Sequence, residues 1–297
     1  MQNKMIIITG ITASGKSELC NSLVKKYNNI IIVNCDSKQV YKEIPIITAQ
    51  PLEQSDLFKL YGYVSAKENY SAGLWLEDLK REVDSALQNS QIPVITGGSG
   101  LYISSLINGL SAIPQISQET REKVSALRKN LTKEEFYKLV LSKDPKIEDR
   151  ILINDTHRLS RALEIIIETG KSIFVWQESE KSPVLKNFKM YTILPDREYV
   201  YQKINSRFIT MIEDGAIDEV KKLLEMNLSP SLPVMKAHGV PEVIRYLNSE
   251  ITLTEAIQIS QTNTRHYAKR QYTWFKHQFP NSQAVSCAEE LYALPLD

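Results

Sequence analysis

The sequence has little of what marks secreted or membrane-spanning proteins. Its 297 residues include three cysteines, Cys20, Cys35 and Cys287, with no C-x-x-C pair and no even set for disulfide bonds. This cysteine usage predicts a reducing, cytoplasmic location. The apolar run at residues 5–8 is shorter than the ~7–15 residues of a signal peptide or the ~20 of a membrane helix. Neither export nor membrane insertion is therefore expected.

An excess of charge of one sign is also absent. Lys and Arg number 36, and Asp and Glu number 35, which excludes a polybasic protein and argues against a nucleic-acid partner unless positive charge is concentrated locally. Residues 264–277 do concentrate it, with four Lys or Arg, no acid and interleaved aromatics. Such a mixture suits contact with RNA backbone and bases. The alternative is that these aromatics pack into the core and the cations form the outer face of a helix.

Apolar residues, at 42% of the chain, are sufficient for a sizeable core. Strand-like apolar runs alternate with helical patterns, and the sequence contains no internal repeat. The runs lie at residues 5–8, 30–33, 93–96 and 190–194, and the helical patterns at 17–27, 71–87, 156–169, 198–214 and 253–277. This alternation predicts an α/β fold with a parallel sheet flanked by helices. Together with the phosphate-binding motif at residues 10–17, described below, it predicts a P-loop NTPase-like sheet. Ligands of such sheets bind beyond the carboxyl ends of the strands.

Residues 116–154 break the alternation, because they are polar and charged and contain no strand-like run. We interpret them as a helical insertion domain, since a helical lid is a common device for enclosing a ligand. The P-loop catalytic core would then comprise residues 1–115 and 155–297. The pattern leaves the C-terminal edge of the insertion open as far as about residue 186.

A phosphate-binding loop follows the first predicted strand. Residues 10–17 match G-x-x-x-x-G-K-[ST] without a mismatch, between a strand and a helix. Backbone N–H groups would face the phosphate, Lys16 would neutralise it and the Ser17 hydroxyl would bind Mg²⁺, the expected cofactor. The alternative is a glycine-rich turn with an exposed lysine. The predicted diphosphate-binding residues are Gly10, Ile11, Thr12, Ala13, Ser14, Gly15, Lys16 and Ser17.

The P-loop motif indicates a pyrophosphate or nucleoside phosphate ligand, ATP included, and leaves the reaction open. Asp36 lies at the carboxyl end of the second predicted strand and should face the same crevice. A carboxylate there can act as a general base or hold Mg²⁺ through water. The alternative is that Asp36 caps the turn that follows. The topology therefore favours a P-loop transferase and leaves the acceptor open.

Further motifs follow in a fixed order along nearly the whole chain. They are Asp36-Ser37-Lys38-Gln39-Val40-Tyr41, Thr48-Ala49-Gln50-Pro51, Tyr70-Ser71-Ala72, Gly97-Gly98-Ser99-Gly100-Leu101-Tyr102, Arg158-Leu159-Ser160-Arg161-Ala162-Leu163-Glu164 with Thr169-Gly170-Lys171, and Ala268-Lys269-Arg270-Gln271-Tyr272-Thr273-Trp274-Phe275. With the P-loop, they resemble the tRNA dimethylallyltransferase (tRNA isopentenyltransferase) family. The sequence departs from the family pattern at Ser99, where Thr is usual, and at Ala237-His238-Gly239-Val240-Pro241-Glu242, where Ala-Ile-Gly-Tyr-[Lys/Arg]-[Glu/Gln] is usual.

The resemblance implies transfer of a dimethylallyl group from dimethylallyl diphosphate to N6 of the adenosine on the 3′ side of the anticodon, position 37 of the tRNA, with release of diphosphate. It implies Asp36, Ser99 and Arg207 as catalytic residues, with Asp36 accepting the proton of the adenine amine. For Ser99 the alternative is a turn hydroxyl that caps the next helix. For Arg207 it is an ordinary solvated arginine. The resemblance also implies a monomer.

The adenine must be extruded from the stacked anticodon loop to reach such a site. Residues that match the family's tRNA contacts are Asp36, Ser37, Lys38, Gln39, Ser99, Arg121, His157, Arg158, Leu159, Ser160 and Arg161. Without the resemblance, Arg158 and Arg161 would be read as a solvated helix face. Two other functions remain as alternatives: a small-molecule kinase that uses ATP on the same fold, and a non-catalytic RNA-binding P-loop protein.

Overall fold

The computed structural model describes residues 5–51, 55–179, 183–185 and 187–293. The chain divides into two compact units, the first comprising Met1–Ile107 and Val184–Asp297 and the second Asn108–Pro183. A search of the described residues finds no helix that is both long and apolar enough to cross a membrane.

A parallel sheet forms the centre of the first unit. Within the described ranges its strands are β1 (Met5–Gly10), β2 (Ile30–Asn34), β3 (Phe58–Lys59), β4 (Ile92–Gly97), β5 (Phe188–Ile193) and β6 (Gln283–Val285). The spatial order is β3-β2-β4-β1-β5-β6, and each neighbouring pair is parallel. Every residue of β1 and β2 is buried, which explains why their sequences are continuously apolar rather than alternating. The predicted parallel α/β sheet is confirmed.

Helices connect and cover the strands. The described residues form α1 (Lys16–Lys26), α2 (Ala72–Gln88), α3 (Gly100–Asn108), α4 (Gln118–Asn130), α5 (Lys133–Lys143), α6 (Thr156–Thr169), α7 (Ile173–Glu178), α8 (Arg197–Glu213), α9 (Ala216–Glu225), α10 (Val240–Leu247) and α11 (Leu253–Gln278). Leu19 and Leu23 of α1 pack on Ile6 and Ile8 of β1, among other strand residues, in one apolar core. Amphipathic spacing in the sequence therefore corresponds to a helix face packed on the sheet.

The order of the strands determines which loops meet. β4 pairs with β1 on one side and with β2 on the other. Because all three strands run in the same direction, the loops that follow Gly10, Asn34 and Gly97 leave the same edge of the sheet. These are the phosphate loop, the Asp36 segment and the Gly97-Gly98-Ser99-Gly100 turn. The carboxyl edge of the central strands is thus the place where a ligand is expected.

The second unit is larger than the insertion predicted for residues 116–154. It spans Asn108–Pro183, so α6, which the predicted boundary assigned to the core, belongs to it. Leu159, Ala162 and Leu163 of α6 share an apolar core with Val124 of α4 and Phe136 of α5. The periodicity of α6 revealed an apolar face but not the helices that cover that face. The C-terminal limit lies near the open edge at about residue 186 rather than at residue 154.

Candidate active site

The phosphate loop has the geometry of an anion site. Lys16 Nζ donates hydrogen bonds to the carbonyl oxygens of Gly10 (2.9 Å) and Ile11 (2.7 Å) and to Ser14 Oγ (3.2 Å). Gly15, at φ +88°, immediately precedes α1. Among the hydrogen bonds of the described residues, none uses the backbone N–H groups of residues 13–17. A helix start with several unpaired N–H groups and a lysine favours a phosphate-bearing ligand.

The Lys16 ammonium lies among other charges. Burial lowers its pKa to about 8, the Asp36 carboxylate acts in the opposite direction, and Arg207 lowers the pKa further. Burial likewise lowers the pKa of Arg207, against the influence of Asp36. Two cations and one carboxylate are thus close enough to influence one another at the mouth of the loop.

The lowered pKa of Lys16 predicts that affinity for inorganic pyrophosphate falls as the pH rises through about 8. Above this pH the ammonium loses the proton that attracts the anion, and at pH 9 about a tenth of the molecules remain charged, so binding should be about tenfold weaker. Titration calorimetry at pH 7, 8 and 9 measures this change.

Lys16→Arg is the matched control for the pH profile, because arginine stays charged throughout and the ligand's own ionisation is the same in both proteins. Burial also lowers the pKa of Lys38 to about 8, so Lys38→Met should retain the wild-type pH profile. Identical profiles for wild type and Lys16→Arg would contradict the assignment to Lys16.

Asn34 fixes the position of Asp36. The Asp36 N–H donates to Asn34 Oδ1 (2.8 Å), while Asn34 Nδ2 donates to the carbonyl oxygens of Asp36 (3.1 Å) and Leu60 (2.9 Å). The Asp36 carboxylate accepts a hydrogen bond from the Lys38 N–H (2.9 Å), so the turn-capping alternative is correct for one of its oxygens. The other oxygen has no protein donor among the hydrogen bonds of the described residues. Asp36 can therefore cap its turn and still accept a proton.

Asn34→Ala should lower the free energy of unfolding by about 1–3 kcal/mol, because it leaves the buried carbonyl oxygen of Leu60 and the partly buried N–H and carbonyl oxygen of Asp36 without their partner. Urea unfolding followed by circular dichroism measures the change. Asn89→Ala is the control, since it removes one exposed bond to Ser85 O and should change stability by less than about 0.5 kcal/mol. Equal losses in the two variants would refute the positioning role of Asn34.

Ser99 ties the turn after β4 to the Asp36 segment. Its Oγ accepts from the Ser37 N–H (2.9 Å) and donates to Ser37 Oγ (3.2 Å). The Ser99 side chain is buried and bonds across to this neighbouring loop, so it does not serve as the cap of the following helix. Its contribution to the start of α3 is its backbone carbonyl, which accepts from the Ile103 N–H (3.1 Å).

Arg207 is held against the phosphate loop. Its Nη2 donates to Thr12 Oγ1 (2.7 Å) from the middle of α8. Because this bond joins positions 195 apart in the sequence and the side chain is partly buried, Arg207 is not an ordinary solvated arginine. The structure thus brings the three predicted catalytic residues, Asp36, Ser99 and Arg207, to the loops at one edge of the sheet.

The side chains of Lys38 and Gln39 are engaged within the first unit. Lys38 Nζ donates to Pro233 O (2.7 Å), and Gln39 Nε2 donates to the carbonyl oxygens of Thr48 (2.9 Å) and Ala49 (2.8 Å). These bonds shape the surface beside Asp36. Contact of either side chain with RNA would compete with them.

Other predicted tRNA contacts lie in the second unit. Arg121 of α4 is partly buried and donates through Nε to Ile116 O (3.3 Å). On α6, Arg158 pairs with Asp155 (3.3 Å) and Arg161 with Glu164 (3.2 Å). The Arg158–Asp155 pair is largely exposed and the Arg161–Glu164 pair is partly buried. Solvent-exposed pairs contribute about 0–1 kcal/mol, so Arg158 in particular can exchange its carboxylate partner for a phosphate.

Three neighbours of these arginines on α6 differ in exposure. His157 is exposed, and Ser160 donates through Oγ to Thr156 O (2.8 Å). Leu159 is completely buried in the apolar core of the second unit. Its side chain packs between helices, so the predicted tRNA contact at Leu159, which stays a prediction, would involve the backbone.

The segment that departs from the family pattern also lies near Asp36. His238 stacks on Tyr267 with ring centroids 4.6 Å apart. Burial lowers the pKa of His238, while the charges of Glu242, Arg270, Lys38 and Asp36 act on it in both directions. Sequence reasoning noted what this segment lacks, an aromatic and a cation, and missed the histidine that it adds.

The C-terminal helix α11 satisfies both interpretations of its sequence. Phe275 is buried, whereas Tyr272 is exposed. An open groove of about 630 Å³ runs along the exposed side of the helix. The residues that line this groove are His266, Lys269, Arg270, Thr273, Trp274, His277 and Gln278. A basic, aromatic groove on one helix is a surface suited to RNA.

Comparison with known proteins identifies the family. A family model described as IPP transferase matches residues 39–278. A protein named tRNA dimethylallyltransferase from Wolbachia pipientis wMel is 75% identical over 296 residues, which cover 100% of both chains. The chain belongs to the IPP transferase family. The match to the family model begins after the phosphate loop and Asp36, whereas the match to the Wolbachia relative includes both of them.

Solved structures agree with the IPP transferase assignment. A eukaryotic dimethylallyltransferase acting on tRNA has a TM-score of 0.78 at 27% identity, over 96% of this chain and 74% of that one. The tRNA isopentenylpyrophosphate transferase of Bacillus halodurans has a TM-score of 0.67 at 27% identity, over 98% and 95%. The resemblance inferred from the motifs is confirmed, and the comparisons do not support the small-molecule kinase.

Proposed function

We propose that this chain transfers the dimethylallyl group of dimethylallyl diphosphate to N6 of the adenosine that follows the anticodon, at position 37 of tRNA. The adenine amine attacks the allylic carbon, the carbon–oxygen bond breaks, and its electron pair leaves with the diphosphate. The proton of the amine passes to Asp36. The names of the full-length relatives support this reaction, and the arrangement of charge at the carboxyl edge of the sheet supplies its chemistry.

The leaving group determines which interactions matter most. As the allylic bond breaks, negative charge grows on the diphosphate, and preorganised donors stabilise this charge without reorganising. Lys16, Arg207 and the free N–H groups of residues 13–17 form such a set. The loops that carry Lys16, Asp36 and Ser99 leave the same edge of the sheet, and this is the observation that carries the proposal. The influence of Asp36 on the pKa of Lys16 and of Arg207 agrees with this placement.

Mg²⁺ is the proposed cofactor of the diphosphate. The Ser17 hydroxyl follows Lys16 directly, is exposed, and makes no side-chain hydrogen bond within the described part of the chain. Mg²⁺ is commonly held by substrate phosphates together with few protein ligands, and Ser17 would be such a ligand. When bound, the metal supplies positive charge to the leaving group. The same loop is proposed to bind this diphosphate rather than ATP.

Hydrogen bonds hold the backbone of Asp36 and of the residue that follows it. The adenine amine is a weak nucleophile, so a positioned carboxylate that accepts its proton lowers the barrier, typically by a factor of about 10²–10⁴ in rate. Asn34 holds the backbone of Asp36, and Ser99 holds the adjacent Ser37. An extruded adenine that enters beside Ser37 would meet the free oxygen of the carboxylate.

The proposed tRNA contacts are the basic groove of α11, the Asp36 segment, Arg121 and the exposed polar residues of α6. The lysine and arginine side chains of the groove suit a phosphate backbone. We further propose a monomer in the cytoplasm. The three cysteines are unpaired, which fits a reducing compartment.

The proposed reaction is tested with purified protein, dimethylallyl diphosphate, Mg²⁺ and tRNA that carries adenine beside the anticodon. Mass spectrometry of the digested tRNA should show the gain of one prenyl group on that adenine. A tRNA with guanine at the same position is the matched control and should gain nothing. No gain on adenine, together with ATP consumption in the presence of a small acceptor, would favour the kinase instead.

A further inference from the structure

A single glutamine joins the C-terminal helix to two loops of the site. Gln271 lies in α11, is buried, and uses both ends of its carboxamide. Its Oε1 accepts from the Thr12 N–H (2.8 Å), and its Nε2 donates to Gly98 O (2.8 Å). The two partners lie in the phosphate loop and in the turn that contains Ser99.

The bond to Thr12 distinguishes that residue from the rest of the phosphate loop. The N–H groups of residues 13–17 have no protein acceptor in the described part of the chain, whereas the Thr12 N–H is bonded to Gln271. Thr12 Oγ1 also accepts from Arg207. The backbone and the side chain of Thr12 are therefore held from two different helices, which leaves the following N–H groups free for an anion.

Close packing accompanies these hydrogen bonds. A Cβ atom on Gly98 would lie 2.6 Å from Gln271 Nε2, and one on Gly100 would lie 2.8 Å from the ring of Trp274. Both separations are too short for a side chain. Glycine at these positions therefore lets α11 approach the turn closely enough for the carboxamide to reach both loops.

We propose that Gln271 is a positioning residue that sets the distance between the diphosphate loop and the Ser99 turn. A carboxamide fits this place because the two loops offer one donor and one acceptor, which a single amide satisfies together. This inference rests on the proposed function, which assigns the diphosphate to the phosphate loop. Gln271 thereby keeps a fixed distance between the loop that would bind the diphosphate and the Ser99 turn. Because Ser99 is bonded to Ser37, the Asp36 segment is held at that distance as well.

The experiment compares Gln271→Ala and Gln271→Glu with wild type. Replacement by alanine leaves both loops unlinked, and a displacement of about 1 Å at a reacting centre can cost about 100-fold in rate. We expect kcat to fall about 10–100-fold, the range typical of residues that support a site indirectly, with tRNA affinity unchanged. Glutamate keeps the acceptor for the Thr12 N–H but loses the donor to Gly98 and adds a negative charge. Pyrophosphate affinity should therefore fall further in Gln271→Glu than in Gln271→Ala.

Gln261→Ala is the matched control, because Gln261 lies on the same helix and donates to Asn205 O (3.0 Å), on α8 rather than on either loop. It should lose thermal stability to a similar extent while kcat and pyrophosphate affinity stay near wild type. Equal kcat in the Gln271→Ala and Gln261→Ala proteins would overturn the proposal. So would parallel losses of melting temperature, tRNA binding and pyrophosphate binding, which would indicate a merely structural role.

Inorganic pyrophosphate is the probe that separates this proposal from the proposed function. Its binding needs neither tRNA nor prenyl transfer. If wild type binds pyrophosphate but transfers no prenyl group, the proposed function fails while the comparison of Gln271 variants still stands. If Gln271→Ala does not fold, Gln271→Glu, which preserves the volume of the side chain, decides the matter: wild-type affinity for pyrophosphate in that variant would refute the positioning role.

Discussion

Asp36→Asn should lower the turnover of tRNA prenylation by about 10²–10⁴-fold, the usual cost of losing a general base. The substituted amide can still accept the hydrogen bond from the Lys38 N–H, so the loop should keep its shape. It cannot take a proton from the adenine amine. Because the change also removes a negative charge that acts on Lys16 and Arg207, pyrophosphate should bind as tightly as before or more tightly. Single-turnover kinetics with saturating tRNA measure the rate.

Asp84→Asn is the control for this substitution, since Asp84 is an exposed carboxylate on α2 and its loss should leave turnover unchanged. A non-catalytic RNA-binding protein predicts that Asp36→Asn retains its function. Turnover within about threefold of wild type in Asp36→Asn would therefore remove Asp36 from the reaction.

Lys16→Met should reduce kcat/KM for the prenyl donor by about 10²–10³-fold, comparable to the loss of one preorganised donor at a developing anion. Methionine removes the positive charge and leaves the carbonyl oxygens of Gly10 and Ile11 without their donor. The partial negative charge of those oxygens is then no longer offset by the ammonium. Steady-state kinetics with varied donor measure the loss, and tRNA affinity should stay near wild type.

Lys25→Met is the matched control, because Lys25 lies on the same helix and is exposed in its last turn. It should leave kcat/KM unchanged. If Lys16→Met lost tRNA affinity as strongly as donor efficiency, the assignment of Lys16 to the diphosphate would be wrong.

Patterns of neighbouring residues predicted the central strands, the helix α2, the phosphate loop and the place of Asp36. The continuous apolar runs of β1 and β2 indicated strands buried on both faces. The helical pattern predicted at 71–87 corresponds to α2, which Ser71 caps by accepting from the Leu74 N–H. The phosphate loop could be read because its glycines, lysine and serine are contiguous. Asp36 could be placed at the same edge because parallel strands end together.

Contacts between segments far apart in the chain could not be predicted from the sequence. The partners of Gln271 and Asn34 belong to other loops, and an amide carries no periodicity that reveals its partner. β3 and β6 are two and three residues long. Strands this short contain no detectable alternation of apolar and polar residues, so the sequence did not predict them. The sequence left the C-terminal edge of the insertion open for a related reason, since the apolar face of α6 could pack on a sheet as well as on α4 and α5.

The hydrogen bond between Thr12 and Gln271 also determines when, during synthesis of the chain, the phosphate loop can reach its final structure. It joins positions 259 residues apart, so at about 5–20 residues per second the glutamine is synthesised about 13–52 s after the threonine. The second unit is one continuous segment with its own apolar core and can fold during that interval. The diphosphate loop must wait for α11 to emerge. Under the proposed role of Gln271, a fully ordered diphosphate loop is therefore reserved for chains in which α11 has been synthesised, and a polypeptide that stops before α11 lacks the glutamine on which the loop depends.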